Sequence, residues 1–478
     1  MSLRKRTFAA VRWTTAGTVL KSLLQFAQVA VLARILSPED YGLMAMVTVV
    51  LSFAGLFADF GVNSAYIQRR DVSQKERSSL YWFNVSLSAL LMIVVMLVSP
   101  LIALFFGDSR LTPLLFFAAT TFTIGALGVQ VRMNAEKELQ FRPVIVVEVF
   151  AAVIGFGVAL ATAMAGKGVY ALVYGSISAA LASTVLLWVF LARGWRPMFR
   201  LKFEDVRSFL RFGGALVASN LVNQISMTMD LFLGGKLLTA AQLGLYSVPR
   251  NLTLQIQNAV NPIITRIAFP LIAEVQHDVA RVRLIYLQTL NMTSSTNAPI
   301  YVGTAFFADE VVVALLGAGW ERSGSILQIL ALWGAFRSTG NPVGSLLLGM
   351  GRADLSLKWN IGMLFVVAPL LWFGSTFGPE GIAWSLFGLM VVLFVPGWFV
   401  LVRPLCKAGL KEYSIAALRP ICIAMVAFGV AYGVVSPLDD PLARLAAGGA
   451  FGALSYLALS FLFNRQWVSS MYELLRRI

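Results

Sequence analysis

Apolar runs of about twenty residues recur along the whole chain, separated by short polar connections. A helix needs about 20 mostly apolar residues to cross the hydrocarbon core of a bilayer, which is about 30 Å thick. The pattern therefore predicts an all-α integral membrane protein with fourteen transmembrane helices. The predicted spans are 13–33, 41–60, 82–104, 111–131, 144–164, 169–191, 212–233, 251–271, 287–307, 326–348, 357–377, 382–402, 415–435 and 445–463.

The composition supports a lipid environment. Of the 478 residues, 58% are apolar and only 13% are charged, whereas soluble domains average about 45–50% and about 25%. So little charge cannot cover a water-soluble surface of this size. The chain has one histidine, His277, and two cysteines, Cys406 and Cys422, which excludes a His/Cys metal site. We expect no metal and no cofactor.

Most of the positive charge lies at the termini and in alternate connections between the spans. The formal net charge is +15, and 28 of the 38 Lys and Arg residues fall at the termini and in alternate connections, against seven in the intervening ones. Basic residues stay on the cytoplasmic side of short loops. The asymmetry predicts an even number of spans with both termini in the cytoplasm. The charge is thus a topology signal and a contact for anionic membrane lipids, and we expect no nucleic-acid partner.

Two internal matches indicate a repeat. Residues 34–43 align without a gap with 236–245, at an offset of 202, and residues 168–175 align with 381–388, at an offset of 213. The matches predict two six-helix bundles followed by a two-helix tail. Because six is even, the bundles run parallel, as in transporters whose halves are related by an axis along the membrane normal.

The repeat divides the chain into four predicted segments. These are an N-terminal six-helix lobe (1–192), an amphipathic cytoplasmic linker (193–211), a C-terminal six-helix lobe (212–403), and helices 13 and 14 with a cytoplasmic tail (404–478). In the linker, four apolar residues share one helical face, which is typical of a helix in the membrane interface. They are Phe203, Val206, Phe209 and Leu210.

Charges inside the spans are the candidate functional residues. A basic residue at mid-membrane costs about 2.5–3.5 kcal/mol on insertion scales and is usually retained to face a protein interior or a watery cavity. The basic candidates are Lys21, Arg266 and Arg337 within spans, with Arg34 and Arg250 near outer ends, where long side chains can also reach the headgroups. The acidic candidates are Asp59, Asp230 and Glu148. Each acid could bind a coupling ion or only neutralise a nearby base.

Amides accompany these charges. Gln25 and Gln28 lie in the first span, and Asn220, Asn223 and Gln224 lie in the seventh. They could contact a polar cargo or only link helices by hydrogen bonds.

Enzymatic roles find little support in the sequence. The outer connections are mostly short, and one histidine makes a Ser/His/Asp set unlikely to form. The glycines of 349–351 precede no Lys-Ser of a phosphate loop. We expect no catalytic residues, so that transport would draw its energy from a gradient or from the cargo.

The order of short motifs resembles a known family. The motifs are Arg34-Ile-Leu-Ser-Pro-Glu-Asp-Tyr41-Gly42, Asp230-x-x-x-Gly234, Ala240-Ala-Gln-Leu-Gly244-Leu-Tyr246, Phe269-Pro270 and Gly349-Met-Gly351-Arg352. From end to end, the chain resembles the Wzx-type polysaccharide-biosynthesis flippases. It is most similar to exporters of colanic-acid and related exopolysaccharide units in the multidrug/oligosaccharidyl-lipid/polysaccharide superfamily.

The resemblance implies a V-shaped pair of six-helix lobes in the bacterial cytoplasmic (inner) membrane. Such a protein moves an undecaprenyl-pyrophosphate-linked oligosaccharide to the outer leaflet by alternating access, with H⁺ or Na⁺ as the candidate coupling ion and polysaccharide polymerase machinery as a partner. Cations in a wet cleft would compensate the pyrophosphate. We assign this role to Lys21, Arg266 and Arg337, assisted by Arg34 and Arg250; Gln25, Asn223 and Gln224 would meet the sugar.

Two alternatives remain at the level of sequence. A cation-coupled multidrug extruder would need a cavity dominated by carboxylates and aromatic rings, whereas bases outnumber acids among the candidates here. A non-transporting scaffold of a polysaccharide synthase complex would explain the same charges as structural pairs.

Overall fold

The structure is a computed structural model that describes residues 3–59, 61–69 and 71–469. The described residues form α-helices and contain no β-strand. The helices are α1 (Leu3–Leu32), α2 (Pro38–Asp59), α3 (Val62–Gln68), α4 (Gln74–Phe106), α5 (Leu111–Ala118), α6 (Thr120–Lys137), α7 (Phe141–Met164), α8 (Tyr170–Leu191), α9 (Phe203–Leu237), α10 (Ala240–Glu274), α11 (Val279–Phe306), α12 (Ala308–Leu315), α13 (Ser323–Thr339), α14 (Pro342–Gly349), α15 (Ala353–Ser375), α16 (Gly378–Val392), α17 (Phe394–Gly397), α18 (Arg403–Cys406), α19 (Leu410–Val435) and α20 (Pro441–Phe463).

Many of these helices can cross a bilayer. Among the described residues, eight stretches are long and apolar enough, and ten are if each of two bent pairs counts as one span. The pairs are α11 with α12, bent by 82°, and α16 with α17 and α18, bent by 46°. A π-helical turn, Trp398–Val402, joins α17 to α18. The prediction of an all-α, multi-pass membrane protein is confirmed.

The chain forms two compact units, Met1–Gly244 and Leu245–Ile478. The division falls within α10. The four segments predicted from the repeat are a different partition, and their functional boundaries stay a prediction.

The predicted linker contributes to a long helix. Helix α9 begins at Phe203 and continues for 35 residues. Val206 and Phe209 are buried in a cluster with Val62, Tyr66 and Leu80, so this part of the apolar face contacts protein and not the membrane interface that the pattern predicted. The side chains of Phe203 and Leu210 lie outside the described residues.

Three of the prolines inside the helices have compensating hydrogen bonds. A proline cannot donate to the carbonyl four residues earlier, and an unsatisfied carbonyl in lipid costs several kcal/mol. At Pro100, Pro249 and Pro299 that carbonyl accepts a hydrogen bond from a side-chain hydroxyl. The bonds run from Ser99 Oγ to Met96 O (2.7 Å), from Ser323 Oγ to Leu245 O (3.1 Å) and from Tyr456 Oη to Ser295 O (2.8 Å). The carbonyls that these prolines cannot bond are therefore not left unpaired.

The first repeat match is visible in the structure as a reciprocal contact. Helix α2 begins at Pro38 and α10 at Ala240, which are equivalent at the offset of 202. A Cβ atom added to Gly42 would lie 1.7 Å from the carbonyl oxygen of Ala240, and one added to the equivalent Gly244 would lie 1.7 Å from that of Pro38. Only glycine permits the two helix starts to approach so closely.

The second match is not structurally equivalent. Helix α8 begins at Tyr170, whereas α16 begins at Gly378, five residues earlier than the offset of 213 requires. Gly175 packs closely against Gly155 of α7, but a Cβ atom on its counterpart Gly388 would meet nothing within 4 Å. The sequence likeness at this match therefore does not extend to the packing.

A charged turn supports the start of α2. Arg110 Nη2 lies 2.7 Å from Asp108 Oδ2 and 2.7 Å from Glu39 Oε1. The hydrogen bond from Arg110 holds the pKa of the Asp108 carboxyl below its usual value. Arg110 thus links the turn between α4 and α5 to the first turn of α2.

Candidate functional site

Lys21 belongs to a charge network in the first unit. Its Nζ atom lies 2.8 Å from Oε2 of Glu148 on α7. Arg132 of α6 approaches the other oxygen of this carboxylate at 2.7 Å and also pairs with Glu136 at 2.8 Å. Two positive and two negative charges therefore lie together, and the group has no formal net charge. The side chain of Lys21 remains 40% exposed.

The network joins two residues for which the sequence predicted different roles. Lys21 was expected to bind anions and Glu148 to bind a coupling ion, but the structure pairs them. Arg132 was missed because it follows the predicted end of span 4 and was counted as a basic residue of the next connection. Only the fold brings the partners together, since Lys21 and Glu148 are 127 residues apart.

In the second unit, Arg337 of α13 contacts α10. Its Nε donates a hydrogen bond to Oε1 of Gln257, at 3.2 Å. Its guanidinium carbon lies 5.1 Å from the ring centre of Trp333, a distance at which cation–π attraction operates. The Arg337 side chain is only partly buried, so the planar group is oriented without being enclosed.

A buried polar chain lies beside Arg337 and was not predicted. Asn297 of α11 donates to Asn261 of α10 at 2.7 Å, and Asn261 donates to the carbonyl of Ser338 on α13 at 3.2 Å. The hydroxyl of Tyr301 donates to the carbonyl of Thr253 at 2.9 Å. These bonds fix α10, α11 and α13 against one another and so position Arg337.

One signal in the sequence could have revealed this chain. Residues 291–297 read Asn-Met-Thr-Ser-Ser-Thr-Asn in the middle of the otherwise apolar ninth span. Five of these residues, Asn291, Thr293, Ser294, Ser295 and Asn297, are buried in the protein. Such a polar run is tolerated inside a membrane protein where neighbouring helices supply hydrogen-bond partners.

The remaining charged candidates occupy varied environments. Arg34 is exposed in the turn after α1. Arg250 and Asp230 are each 5% exposed, and both have interaction partners within the protein. Burial of Arg250 excludes the headgroup contact that its predicted position allowed. Asp59 and Arg266 lie in α2 and α10, but their side chains are outside the described residues.

The amide candidates are accessible. Gln25 and Asn223 are exposed, and Gln224 is partly buried. Their side chains are therefore positioned on solvent- or lipid-accessible helix surfaces of α1 and α9. No group of three His, Cys, Asp or Glu side chains suited to a metal occurs in the described ranges.

The predicted basic and amide candidates concentrate on four helices. Lys21 and Gln25 lie on α1, Asn223 and Gln224 on α9, Arg250 and Arg266 on α10, and Arg337 on α13. None of these helices is among the ten apolar stretches found in the described part of the chain; α13 has only 17 residues, and the apolar part of α1, Gly17–Leu32, is also short. Polar residues in a membrane protein usually face an interior or a watery path.

A family match covers more than half of the chain. Residues 31–325 match the family described as "Polysaccharide biosynthesis protein". The match includes α2 to α12 in full, and with them Glu148, Arg250 and Asp230.

Relatives and a solved structure extend the comparison over nearly the whole chain. The lipopolysaccharide biosynthesis protein WzxC of Escherichia coli (strain K12) is 28% identical over 93% of this chain and 90% of its own length. The teichuronic acid biosynthesis protein TuaB of Bacillus subtilis (strain 168) is 29% identical over 100% and 99%. The fold is similar to the lipid II flippase MurJ in an inward closed conformation, with a TM-score of 0.78 and 14% identity, over 96% of this chain and 100% of that one.

Proposed function

The chain belongs to the polysaccharide biosynthesis protein family, and on that premise we propose that it is a flippase for lipid-linked oligosaccharides. The cargo would be an undecaprenyl-pyrophosphate-linked repeat unit, moved from the inner to the outer leaflet for assembly of a surface polysaccharide. Two kinds of similarity support this proposal: relatives named for the biosynthesis of cell-surface polysaccharides, and a fold shared with a lipid II flippase.

The observation that carries the proposal is the concentration of cations and amides on α1, α9, α10 and α13. A pyrophosphate must cross about 30 Å of low dielectric, where an uncompensated charge is very costly. Arginine binds phosphate oxygens through its planar fork, and lysine acts as a point charge. The oriented guanidinium of Arg337 and the half-exposed Lys21 are suited to these two tasks.

The lipid tail has a different requirement. A polyprenyl chain is apolar and gains nothing from a polar path, so in our proposal it stays in the bilayer while the headgroup moves. Alternating access would then expose the cations first to one side of the membrane and then to the other, with differential binding setting the direction.

The count of fourteen spans belongs to the same proposal. The ten apolar stretches would be completed by α1, α9, α10 and the pair of α13 with α14. Each predicted span overlaps one of these helices or helix pairs. An even number of spans places both termini on the same side of the membrane, and the positions of the basic connections indicate that this side is the cytoplasm. The two six-helix lobes remain the arrangement that the internal repeat favours.

For the coupling ion, the carboxylates differ in suitability. Glu148 already lies within 2.8 Å of two cationic groups, so little negative charge remains to attract Na⁺, and we assign it a positioning role for Lys21. Asp59 and Asp230 stay our candidates for H⁺ or Na⁺. Because transport would need no covalent step, we propose a transporter and not an enzyme.

The test replaces single cations in the intact protein. We expect Lys21→Ala, Arg266→Ala and Arg337→Ala each to abolish or strongly reduce surface polymer while the protein stays at normal levels in the membrane. Lys21→Arg, which keeps the charge, should retain export. Lys358→Ala is the matched control, because Lys358 is an exposed cation on α15 outside the proposed path.

A reconstituted assay separates transport from effects on polymer assembly. Purified variants in liposomes would be given a fluorescent lipid-linked oligosaccharide, and its appearance in the opposite leaflet would be followed. Wild-type rates in all three alanine variants would contradict the anion-path mechanism. Flipping by none of the proteins, wild type included, would contradict the proposed function itself.

A further inference from the structure

A cavity in the second unit lies beside α18 and the connection from α18 to α19. Its volume is about 820 Å³. The residues that line it are Trp398, Phe399, Arg403, Pro404, Lys407, Ala408, Gly409 and Leu410. They come from the π-helical turn, from α18, from the connection that follows and from the first residue of α19. This cavity has no part in the proposed path of the cargo.

The cavity is positively charged. Its lining contains two cations, Arg403 and Lys407, and no acid. Within the described residues neither cation has an ion pair. The guanidinium of Arg403 lies 5.3 Å from the ring centre of Phe399 and 5.7 Å from that of Trp398. Glu412 lies nearby in sequence, but it accepts a hydrogen bond from the Gly409 amide and lies 3.9 Å from Arg283.

The backbone at the cavity is constrained. Lys407 is the C-terminal cap of α18 and has a φ of +53°, a left-handed conformation that non-glycine residues adopt infrequently and that is common where a helix ends. The indole of Trp398 donates to the carbonyl of Ala408 at 3.0 Å and fixes the turn. Glycine or asparagine would adopt this backbone conformation at a lower free-energy cost than lysine. The side chains of Arg403 and Lys407 both line the cavity.

An apolar stripe leads away from the cations along the same bent span. Val392, Val395 and Phe399 are exposed on the two sides of the 46° bend between α16 and α17. At about 1.5 Å per residue, the chain from Val392 to Arg403 has a contour length of about 16 Å, which is comparable to a phospholipid acyl chain. A ligand that fits both parts has an anionic head and an apolar tail.

From these features we infer that the cavity binds an anionic phospholipid of the surrounding bilayer. The phosphate of the headgroup lies between Arg403 and Lys407, and one acyl chain lies along the apolar stripe. The aromatic rings of Trp398 and Phe399 hold the guanidinium at the headgroup level, where aromatic side chains are stable. Basic pockets between transmembrane helices are suited to such headgroups. This inference is independent of the cargo and goes beyond the proposed function.

The test measures lipid retained by the purified, full-length protein in detergent. Phosphatidylglycerol is added, and native mass spectrometry counts the bound molecules; phosphatidylcholine, inorganic phosphate and undecaprenyl pyrophosphate are the comparison ligands. The variants are Arg403→Gln and Lys407→Asn, the latter because asparagine accepts the left-handed backbone. Lys411→Gln is the matched control, since Lys411 is an exposed cation in the first turn of α19 and does not line the cavity.

We expect one phosphatidylglycerol to be retained in preference to phosphatidylcholine, and inorganic phosphate not to displace it. Each variant should weaken retention about fivefold and the double variant about thirtyfold, whereas Lys411→Gln should not change it. Arg403→Lys should restore most of the binding. Unchanged thermal unfolding without lipid confirms that the variants fold.

Three results would overturn the inference. The first is equal retention by the wild type and the double variant. The second is an equal loss in Lys411→Gln, which would reflect general surface charge. The third is displacement of the phospholipid by inorganic phosphate or by undecaprenyl pyrophosphate, which would assign the cavity to a free anion or to the cargo. Because no transport is measured, each result is separate from the fate of the proposed function.

Discussion

Replacing Gly42 by alanine tests the reciprocal contact between the starts of α2 and α10. The new Cβ atom would lie 1.7 Å from the Ala240 carbonyl oxygen, half of the 3.4 Å at which ordinary contact begins, and it would meet backbone atoms that have no rotamer to change. Overpacking of this kind costs about 1–3 kcal/mol, whereas alanine gains about 0.5–1 kcal/mol over glycine inside a helix. Because the clash is with backbone atoms, we take the upper end of the overpacking cost, about 3 kcal/mol, and expect a net loss of about 2 kcal/mol.

The measurement is the thermal unfolding of purified protein in detergent. A loss of about 2 kcal/mol should lower the Tm by roughly 4–8 °C for a unit of this size. Gly157→Ala is the matched control: Gly157 also lies inside a helix, α7, but its added Cβ atom would meet nothing within 4 Å. We expect the control to melt at the wild-type temperature or slightly above it.

The reciprocity gives a second, sharper expectation. Gly244→Ala should cost about as much as Gly42→Ala, because its Cβ atom meets the Pro38 carbonyl at the same distance. The double variant should cost less than the two single variants together, since one separation of the helices relieves both clashes. A Gly42→Ala protein that melts at the wild-type temperature, or fully additive losses, would refute the argument from this contact.

Three further substitutions test other contacts. Glu148→Gln removes the carboxylate that joins two cations. Breaking a fully buried pair costs about 3–5 kcal/mol, but Lys21 and Arg132 are 40% and 45% exposed, so solvent screening should reduce the loss in the free energy of unfolding to about 1–3 kcal/mol; an unchanged denaturant midpoint would contradict this. Tyr456→Phe leaves the Ser295 carbonyl without its hydroxyl donor and should cost about 1–3 kcal/mol, seen as a lower Tm than that of the wild type. Asp108→Asn concerns a carboxyl whose folded-state pKa is depressed by its hydrogen bond from Arg110, so its stabilising effect is present above the unfolded pKa of about 3.9 and is lost as the pH falls through the folded value. Wild type and Asp108→Asn should therefore differ in Tm at pH 7 and converge below about pH 4, and a constant difference across this range would exclude the ionic origin.

The sequence predicted the positions of the helices well, because a bilayer imposes one length and one polarity on everything that crosses it. The predicted spans overlap helices or helix pairs, including the two bent pairs. The equivalence of Pro38 with Ala240 was also accessible, since a turn and its glycine are local features. The interfacial placement of the linker was wrong for Val206 and Phe209, because periodicity identifies an apolar face but not what covers it.

The candidate site was less predictable for a related reason. Insertion cost identifies Lys21 and Arg337 as unusual residues, but it does not name their partners. Glu148 and Arg132 approach through helix packing, and Gln257 through a neighbouring helix of the second unit. The only sequence feature that indicated the buried hydrogen-bond chain from Asn297 to Asn261 was a polar run in one span. Roles in transport for the candidate cations, amides and acids stay predictions until the substitutions are made.

The pairing of Lys21 with Glu148 also has a consequence for biogenesis. Lys21 leaves the ribosome early, whereas its counter-ion follows 127 residues later. A lysine in mid-helix disfavours partition into lipid on its own, so α1 cannot reach its final environment until α7 has been translated and has entered the membrane. Although α1 is synthesised before α7, it thus reaches its final position only after α7 has been inserted, and until then it must remain beside the translocon or against helices that are already in the membrane.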